Sequence, residues 1–243
     1  MNQITDNFLN RLSHSKVIVI LRHILPEQCE KFVNLLEENH LDTIEVTLNS
    51  PNAFSSIEIL IKKFPKLNIG AGTVVDSQNI KKLKDMGIKF IVSPNTNPEV
   101  ITETLKNDLI PIPGFYTATE GFNAIKYGAT ILKLFPSGIN GINLINDYSA
   151  VFPKNIKFIP TGGVNEQNIR QLLSKAFAVG IGSSLFSPNI SYNEFSDKVK
   201  ELQKRLTDFM NENVYKNEGV FESQLNENGR WTIPPILEKM KSK

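Results

Sequence analysis

Eight short runs rich in β-branched residues alternate with eight amphipathic stretches, and this alternation restricts the fold more than any other feature of the chain. The runs lie at 17–21, 43–47, 68–72, 89–93, 109–113, 131–135, 156–160 and 178–181. The helical patterns follow at 26–39, 52–64, 77–86, 98–106, 119–127, 142–152, 166–174 and 192–209. Pro26 and Pro98 stand at helix starts, where a missing N–H costs nothing, and Asp76 and Asn165 precede two further starts. Gly87 and Gly128 follow the ends of apolar-periodic segments. Strand-helix units repeated in this way require parallel strands joined by right-handed helical crossovers. The reading is an α/β protein, a (β/α)8 TIM barrel over residues 1–210. An open doubly wound sheet is the weaker alternative, because no G-x-G-x-x-G follows the first run.

Residues 1–15 read as a short leading helix that covers the barrel floor. Residues 211–243 read as a C-terminal extension, Asn/Glu-rich up to 230 and then carrying Trp231 and a Pro-Pro pair before a basic end, with no role assigned. The chain has 243 residues, enough for one large barrel. Lys plus Arg total 27 against 25 Asp plus Glu, so there is no basic footprint for nucleic acid, and any bound anion must be held by local geometry. No apolar run reaches the ~20 residues of a membrane span. Cys29 is the single cysteine, which excludes an internal disulfide or Cys-cluster metal site and fits a cytoplasmic protein; its helical phase with Phe32, Val33 and Leu36 makes it a packing residue. His14, His23 and His40 lack metal-ligand spacing, and His40 reads as a residue at a helix end. No metal or cofactor is expected.

In such a barrel the carboxyl ends of the strands carry the chemistry. Lys133 lies inside the apolar run Ile131-Leu132-Lys133-Leu134-Phe135, where burial disfavours the ammonium form, and a neutral lysine is a nucleophile for a ketone or aldehyde. It reads equally as a salt-bridged lysine at a strand end. Glu45, in Ile44-Glu45-Val46, is a second ionisable group in an apolar strand: an acid/base partner for Lys133, or a structural ion pair with Lys133 or Arg22. Thr161-Gly162-Gly163-Val164 follows the seventh run and Gly182-Ser183-Ser184 the eighth, the two places where barrels bind phosphate through backbone N–H groups. Thr73, after Gly70-Ala71-Gly72, offers a hydroxyl to a small carboxylate.

These residues form an ordered set. Glu45 with Asn49-Ser50-Pro51, Gly70-Ala71-Gly72-Thr73-Val74, Ser93-Pro94-Asn95, Pro113-Gly114, Thr117 with Thr119-Glu120, Lys133-Leu134-Phe135-Pro136 and Thr161-Gly162-Gly163-Val164 resemble the class I 2-keto-3-deoxy-6-phosphogluconate (KDPG) / 4-hydroxy-2-oxoglutarate aldolases. The resemblance runs from about residue 16 to residue 186. It implies a metal-free homotrimeric (β/α)8 lyase that cleaves a 2-keto-3-deoxy-6-phospho sugar acid to pyruvate and glyceraldehyde 3-phosphate, with 4-hydroxy-2-oxoglutarate as a second substrate. It makes Lys133 the Schiff-base lysine and Glu45 the proton shuttle. Arg22 and Thr73 would meet the pyruvate carboxylate, Pro94 and Phe135 would pack the pocket, and Thr161, Gly162, Gly163, Gly182, Ser183 and Ser184 would take up the substrate's phosphate end.

Two features divide the family's branches. Asn49 stands where the gluconate branch usually has Arg, and Thr47-Leu48-Asn49-Ser50-Pro51 with Arg22 resembles the galactonate branch. Thr161 before the Gly-Gly pair resembles the gluconate branch. Two other classes stay open on the residues alone. One is a phosphate-binding barrel isomerase or epimerase with Glu45 as base, for which no second acid is found at a strand end. The other is a non-catalytic phosphosugar-binding barrel, which has no need of both Lys133 and Glu45.

Overall fold

The computed structural model describes residues 3–217. The chain divides into two compact units, residues 1–206 and 207–243, of which the second is described only over 207–217, the end of a helix. The Asn/Glu-rich tail beyond 217, with Trp231, lies outside the described residues.

The first unit is an α/β fold whose paired strands are all parallel. It opens with helix α1 (Gln3–Ser15). Strands β1 (Val17–Leu21), β2 (Thr43–Thr47), β3 (Asn68–Gly72), β4 (Phe90–Val92) and β5 (Ile110–Ile112) follow in turn. With β9 (Val179–Ile181) they make a six-stranded sheet in the order β5-β4-β3-β2-β1-β9. A second sheet holds β6 (Gly114–Phe115), β7 (Ile131–Leu134) and β8 (Lys157–Pro160) in that order. Connecting helices are α2 (Pro26–Glu38), α3 (Ala53–Lys63), α4 (Asn79–Met86), α5 (Pro98–Lys106), α6 (Ala118–Lys126), α7 (Gly141–Val151) and α8 (Ile169–Leu173), with α9 (Tyr192–Asn217) last.

The fifth run differs from the sequence expectation. It holds only β5 and stops at Pro113, which has no N–H for the ladder, and a further short strand, β6, follows just beyond the run. The Pro113 carbonyl still accepts from Lys133 N–H at 2.9 Å, and Ile112 accepts from Ser93 N–H at 3.2 Å, so one continuous segment meets a neighbour in each sheet. Beyond β8, an isolated parallel bridge links Thr161 to Gly180.

Alternate strand residues form an interior cluster. Ile18, Phe90, Val92, Ile110, Ile112, Ile131, Ile159 and Ala178 pack with Phe8 and Leu12 of α1. The rings of Phe8 and Phe90 lie 5.2 Å apart, so the leading helix covers this end of the interior. Interior space is shared unevenly along the register Ile20, Glu45, Gly70, Phe90. A side chain at Gly70 would run into the Phe90 ring at 2.5 Å; the glycine makes room for the phenylalanine.

Helix boundaries follow the local chemistry. Gly87 ends α4 at φ +99°, and Thr117 with Glu120 forms a reciprocal cap at the start of α6. His40 sits just past α2 at φ +57°, donating its N–H to the Glu37 carbonyl. Two helices begin later than their start signals suggest. The Asp76 carboxylate accepts from Gln78 N–H, and Asn165 Oδ1 accepts from the N–H groups of Gln167 and Asn168, so each signal residue makes a turn before the helix proper. The last helix runs past residue 209 to Asn217, since no glycine or proline interrupts it before Gly219.

Candidate active site

Glu45 and Lys133 are both buried, with 2% and 5% of their surface exposed. Lys133 is the third residue of β7; Ile131, two residues before, belongs to the interior cluster, and Phe135 follows two residues after. The strand's period of two therefore carries Lys133 above the apolar floor and below Phe135. Its Nζ lies 5.0 Å from the centre of the Phe135 ring. Glu45, in the middle of β2, lies over Gly72 of β3, where its carboxylate fills the space of a side chain at that position.

Burial pushes the Glu45 carboxyl above its ordinary value, and the positive charges of Lys133 and then Arg22 pull in the opposite direction. Glu45 Oε1 is buried without a hydrogen-bond partner among the described residues. A buried carboxyl oxygen left unpaired is costly in a finished core and useful where a ligand supplies the partner.

The rim is laced by short side chains. Arg22, exposed after β1, donates from Nη1 to Asn49 Oδ1 at 3.1 Å. His23 N–H donates to Ser50 Oγ at 2.8 Å, and Ser50 Oγ lies 2.9 Å from Thr47 Oγ1. Thr73 adopts φ +57°, an outlying conformation for a β-branched residue that costs ~1–3 kcal/mol. Among the described residues its hydroxyl has no hydrogen-bond partner within the protein. Pro94 is half-buried, with its carbonyl against Gly114.

After β8, Gly162 and Gly163 sit at φ +81° and +77°, which side chains rarely adopt. The position of a Cβ on Gly162 lies 3.0 Å from the Phe135 ring, so the glycine pair abuts the aromatic under which Lys133 sits. Thr161 spends its hydroxyl on the Ile159 carbonyl and packs over Gly180. Ser184 donates its hydroxyl to the Val164 carbonyl at 2.7 Å, so its remaining hydrogen-bond donor is its backbone N–H. Gly182 carries no positive φ, and Ser183 is exposed. Sequence reasoning passed over Ser137 and Asn168, whose side chains reach the carbonyls of Gly162 and Gly163. A serine just beyond the lysine strand was the only signal.

Among the described residues, no three His, Cys, Asp or Glu side chains gather where they could hold a metal ion, and no helix is long and apolar enough to cross a membrane. Cys29 is buried in α2 with its thiol pushed up to about 11, mainly by burial, as expected for a packing residue.

The family model for KDPG and KHG aldolases matches residues 8–202. The chain belongs to that family. It is an aldolase, a carbon–carbon lyase. A probable 2-dehydro-3-deoxy-6-phosphogalactonate aldolase of Rhizobium meliloti is 38% identical over 177 residues, covering 72% of this enzyme and 84% of that protein. A 2-dehydro-3-deoxy-phosphogluconate aldolase of Pseudomonas aeruginosa is 31% identical over 149 residues, covering 61% and 67%. A solved KDPG aldolase from Legionella pneumophila, with pyruvate captured at low pH as a covalent carbinolamine, superposes with a TM-score of 0.73 at 28% identity over 82% of this enzyme and 97% of that chain.

Proposed function

We propose that the enzyme is a class I aldolase that cleaves a 2-keto-3-deoxy-6-phospho sugar acid to pyruvate and glyceraldehyde 3-phosphate, with Lys133 as the covalent amine. The observation that carries this reading is a buried lysine and a buried, partly unpaired carboxyl in one apolar interior. The Lys133 amine adds to the C2 ketone to give a carbinolamine, which loses water to a protonated imine. Glu45 takes the C4 hydroxyl proton, the C3–C4 bond breaks, and its electron pair moves toward the imine to leave an enamine and the aldehyde. The enamine recovers a proton at C3 from Glu45, and water returns pyruvate and free Lys133. A carboxyl whose pKa is raised by burial suits a group that must both accept and return this proton.

Arg22 and Thr73 are assigned to the substrate carboxylate, supported by the exposed guanidinium and the unpartnered, strained threonine. Phe135 and Pro94 pack the pocket wall. Gly162, Gly163, Gly182, Ser183 and Ser184 are assigned to the phosphate, supported by the two positive-φ glycines; Thr161 anchors that loop. The Arg22–Asn49 pair and the higher identity to the phosphogalactonate aldolase favour the galactonate epimer. The two sheets are read as one closed (β/α)8 barrel, supported by the continuity through Pro113 and the Thr161–Gly180 bridge. A cytoplasmic homotrimer completes the reading, and light scattering tests the assembly. The function is tested by borohydride reduction in the presence of pyruvate, which must add the mass of reduced pyruvate to the peptide containing Lys133, together with pyruvate release from the two phosphorylated epimers side by side. Absence of an adduct rejects the covalent mechanism.

A further inference from the structure

Four consecutive carbonyls of the loop after β8 are tied back by other parts of the chain. Thr161 O accepts from Ser137 N–H at 2.9 Å. Gly162 O accepts from Gly138 N–H at 2.8 Å and from the Ser137 hydroxyl at 3.0 Å. Gly163 O accepts from Asn168 Nδ2 at 2.8 Å, and Val164 O from the Ser184 hydroxyl at 2.7 Å. The ties come from the segment after the lysine strand, from the residue ahead of α8, and from the segment after β9.

Peptide geometry gives these ties a consequence. In a planar trans peptide the C=O of one residue and the N–H of the next point in opposite directions. Fixing the Gly162 carbonyl therefore fixes the Gly163 N–H, and fixing the Gly163 carbonyl fixes the Val164 N–H. Neither N–H meets a protein acceptor among the described residues. Glycines at φ +81° and +77° have wide conformational freedom of their own, so an amide direction there has to be imposed from outside. The Ser137 hydroxyl, as the second donor beside Gly138 N–H, imposes one of them. Ser137 is 2% exposed and sits four residues after Lys133, packed so closely that a side chain at Gly141 would meet its Cβ at 2.9 Å. Asn168 imposes the other, while its Oδ1 accepts from Asn165 N–H at 2.9 Å.

We infer that Ser137 and Asn168 are positioning residues for the substrate's phosphate, acting through the Gly162 and Gly163 carbonyls to aim the amides that receive it. The inference rests on the phosphate assignment above. Because Ser137 also lies in the loop just past the strand that bears the Schiff-base lysine, it links the covalent and anionic ends of the substrate site through one short segment. Preorganised amides act on a dianion without the cost of ordering them at each binding event.

The test compares the full-length enzyme with Ser137→Ala and Asn168→Ala. Each variant is expected to raise KM for the phosphorylated substrate, and the inhibition constant for inorganic phosphate, about two- to tenfold, the effect of one lost neutral hydrogen bond. Kinetics with the phosphate-free 4-hydroxy-2-oxoglutarate, and borohydride trapping of pyruvate, are expected to stay at the unmodified level. Equal loss on both substrates, or loss of trapping, would show a general structural role and overturn the inference. Unchanged phosphate dependence in both variants of an enzyme that prefers phosphorylated substrate overturns the positioning role alone. An unmodified enzyme with neither that preference nor inhibition by phosphate overturns the phosphate assignment itself.

Discussion

The carboxylate of Glu45 occupies the space in which a side chain at Gly72 would begin. Glu45 pairs in register with Gly70, and its side chain leans along β3 to the next glycine on that face, so Gly72 in Gly70-Ala71-Gly72-Thr73 is there to seat the acid. Gly72→Ala is expected to drive the carboxyl from its seat, with an overpacking cost of about 1–3 kcal/mol and a fall in kcat toward that of an enzyme lacking the acid. Trapping of pyruvate should persist, since Lys133 is on another strand. Full turnover in this variant would mean that Glu45 acts from a different position.

Lys133→Met retains a similar unbranched volume and removes the amine. It should abolish turnover and the borohydride adduct together while the protein still folds, with a melting temperature that falls more at neutral than at acidic pH, because the buried Glu45 carboxyl loses the positive charge that offsets its ionisation. Residual cleavage well above background would remove the covalent step from the mechanism.

Glu45→Gln separates catalysis from stability. Turnover should fall by ~10²–10⁴-fold, the usual contribution of a positioned acid or base. The stability effect has the opposite sign. Because the folded carboxyl has a raised pKa, its favourable contribution is present in full below the ordinary value of 4.5 and is lost as pH rises through the higher folded value. The parent-minus-variant difference in melting temperature should therefore become more negative from mildly acidic toward neutral pH. A difference that does not move with pH would mean that burial is not perturbing this group.

The buried thiol gives a control. With the Cys29 pKa pushed up to about 11, little thiolate exists at neutral pH, and thiol reagents should leave the native enzyme unlabelled and active. Rapid labelling would indicate that α2 opens readily.

Lys133 and Glu45 stand out in the sequence because an ionisable residue in an apolar strand is a local anomaly visible without contacts, and the structure buries both. The glycine pair was read from its place after the seventh run, and both glycines take positive φ; the leading helix was also legible, and its Phe8 and Leu12 join the interior cluster. Ser137 and Asn168 were not legible. Their role depends on carbonyls 25 and five residues away, respectively, and a serine or asparagine in a loop has many local uses that look identical in one dimension. The short strand β6 just past Pro113 was hidden for a related reason: two residues carry no period of their own, and only their pairing with β7 reveals them.

The phosphate loop needs a substitution that changes charge without moving backbone. Gly163 is unsuitable, since its φ is +77° and a side chain there would meet the Gly138 Cα at 2.8 Å, so any replacement strains the loop whether or not phosphate binds. Ser183 is exposed, and a side-chain change there leaves the amides in place. Ser183→Asp sets a negative charge beside the proposed dianion site, where two unit charges ~4 Å apart in water repel by about 1 kcal/mol, roughly a fivefold effect per phosphate charge. KM for the phosphorylated substrate should rise by about five- to thirtyfold on that basis, while KM for 4-hydroxy-2-oxoglutarate should change far less, because its second carboxylate carries one charge and ends nearer the reacting carbons. Raising the ionic strength should close part of the gap, as screening weakens exposed charges at this range. An equal change for both substrates, or one indifferent to salt, would place the phosphate elsewhere.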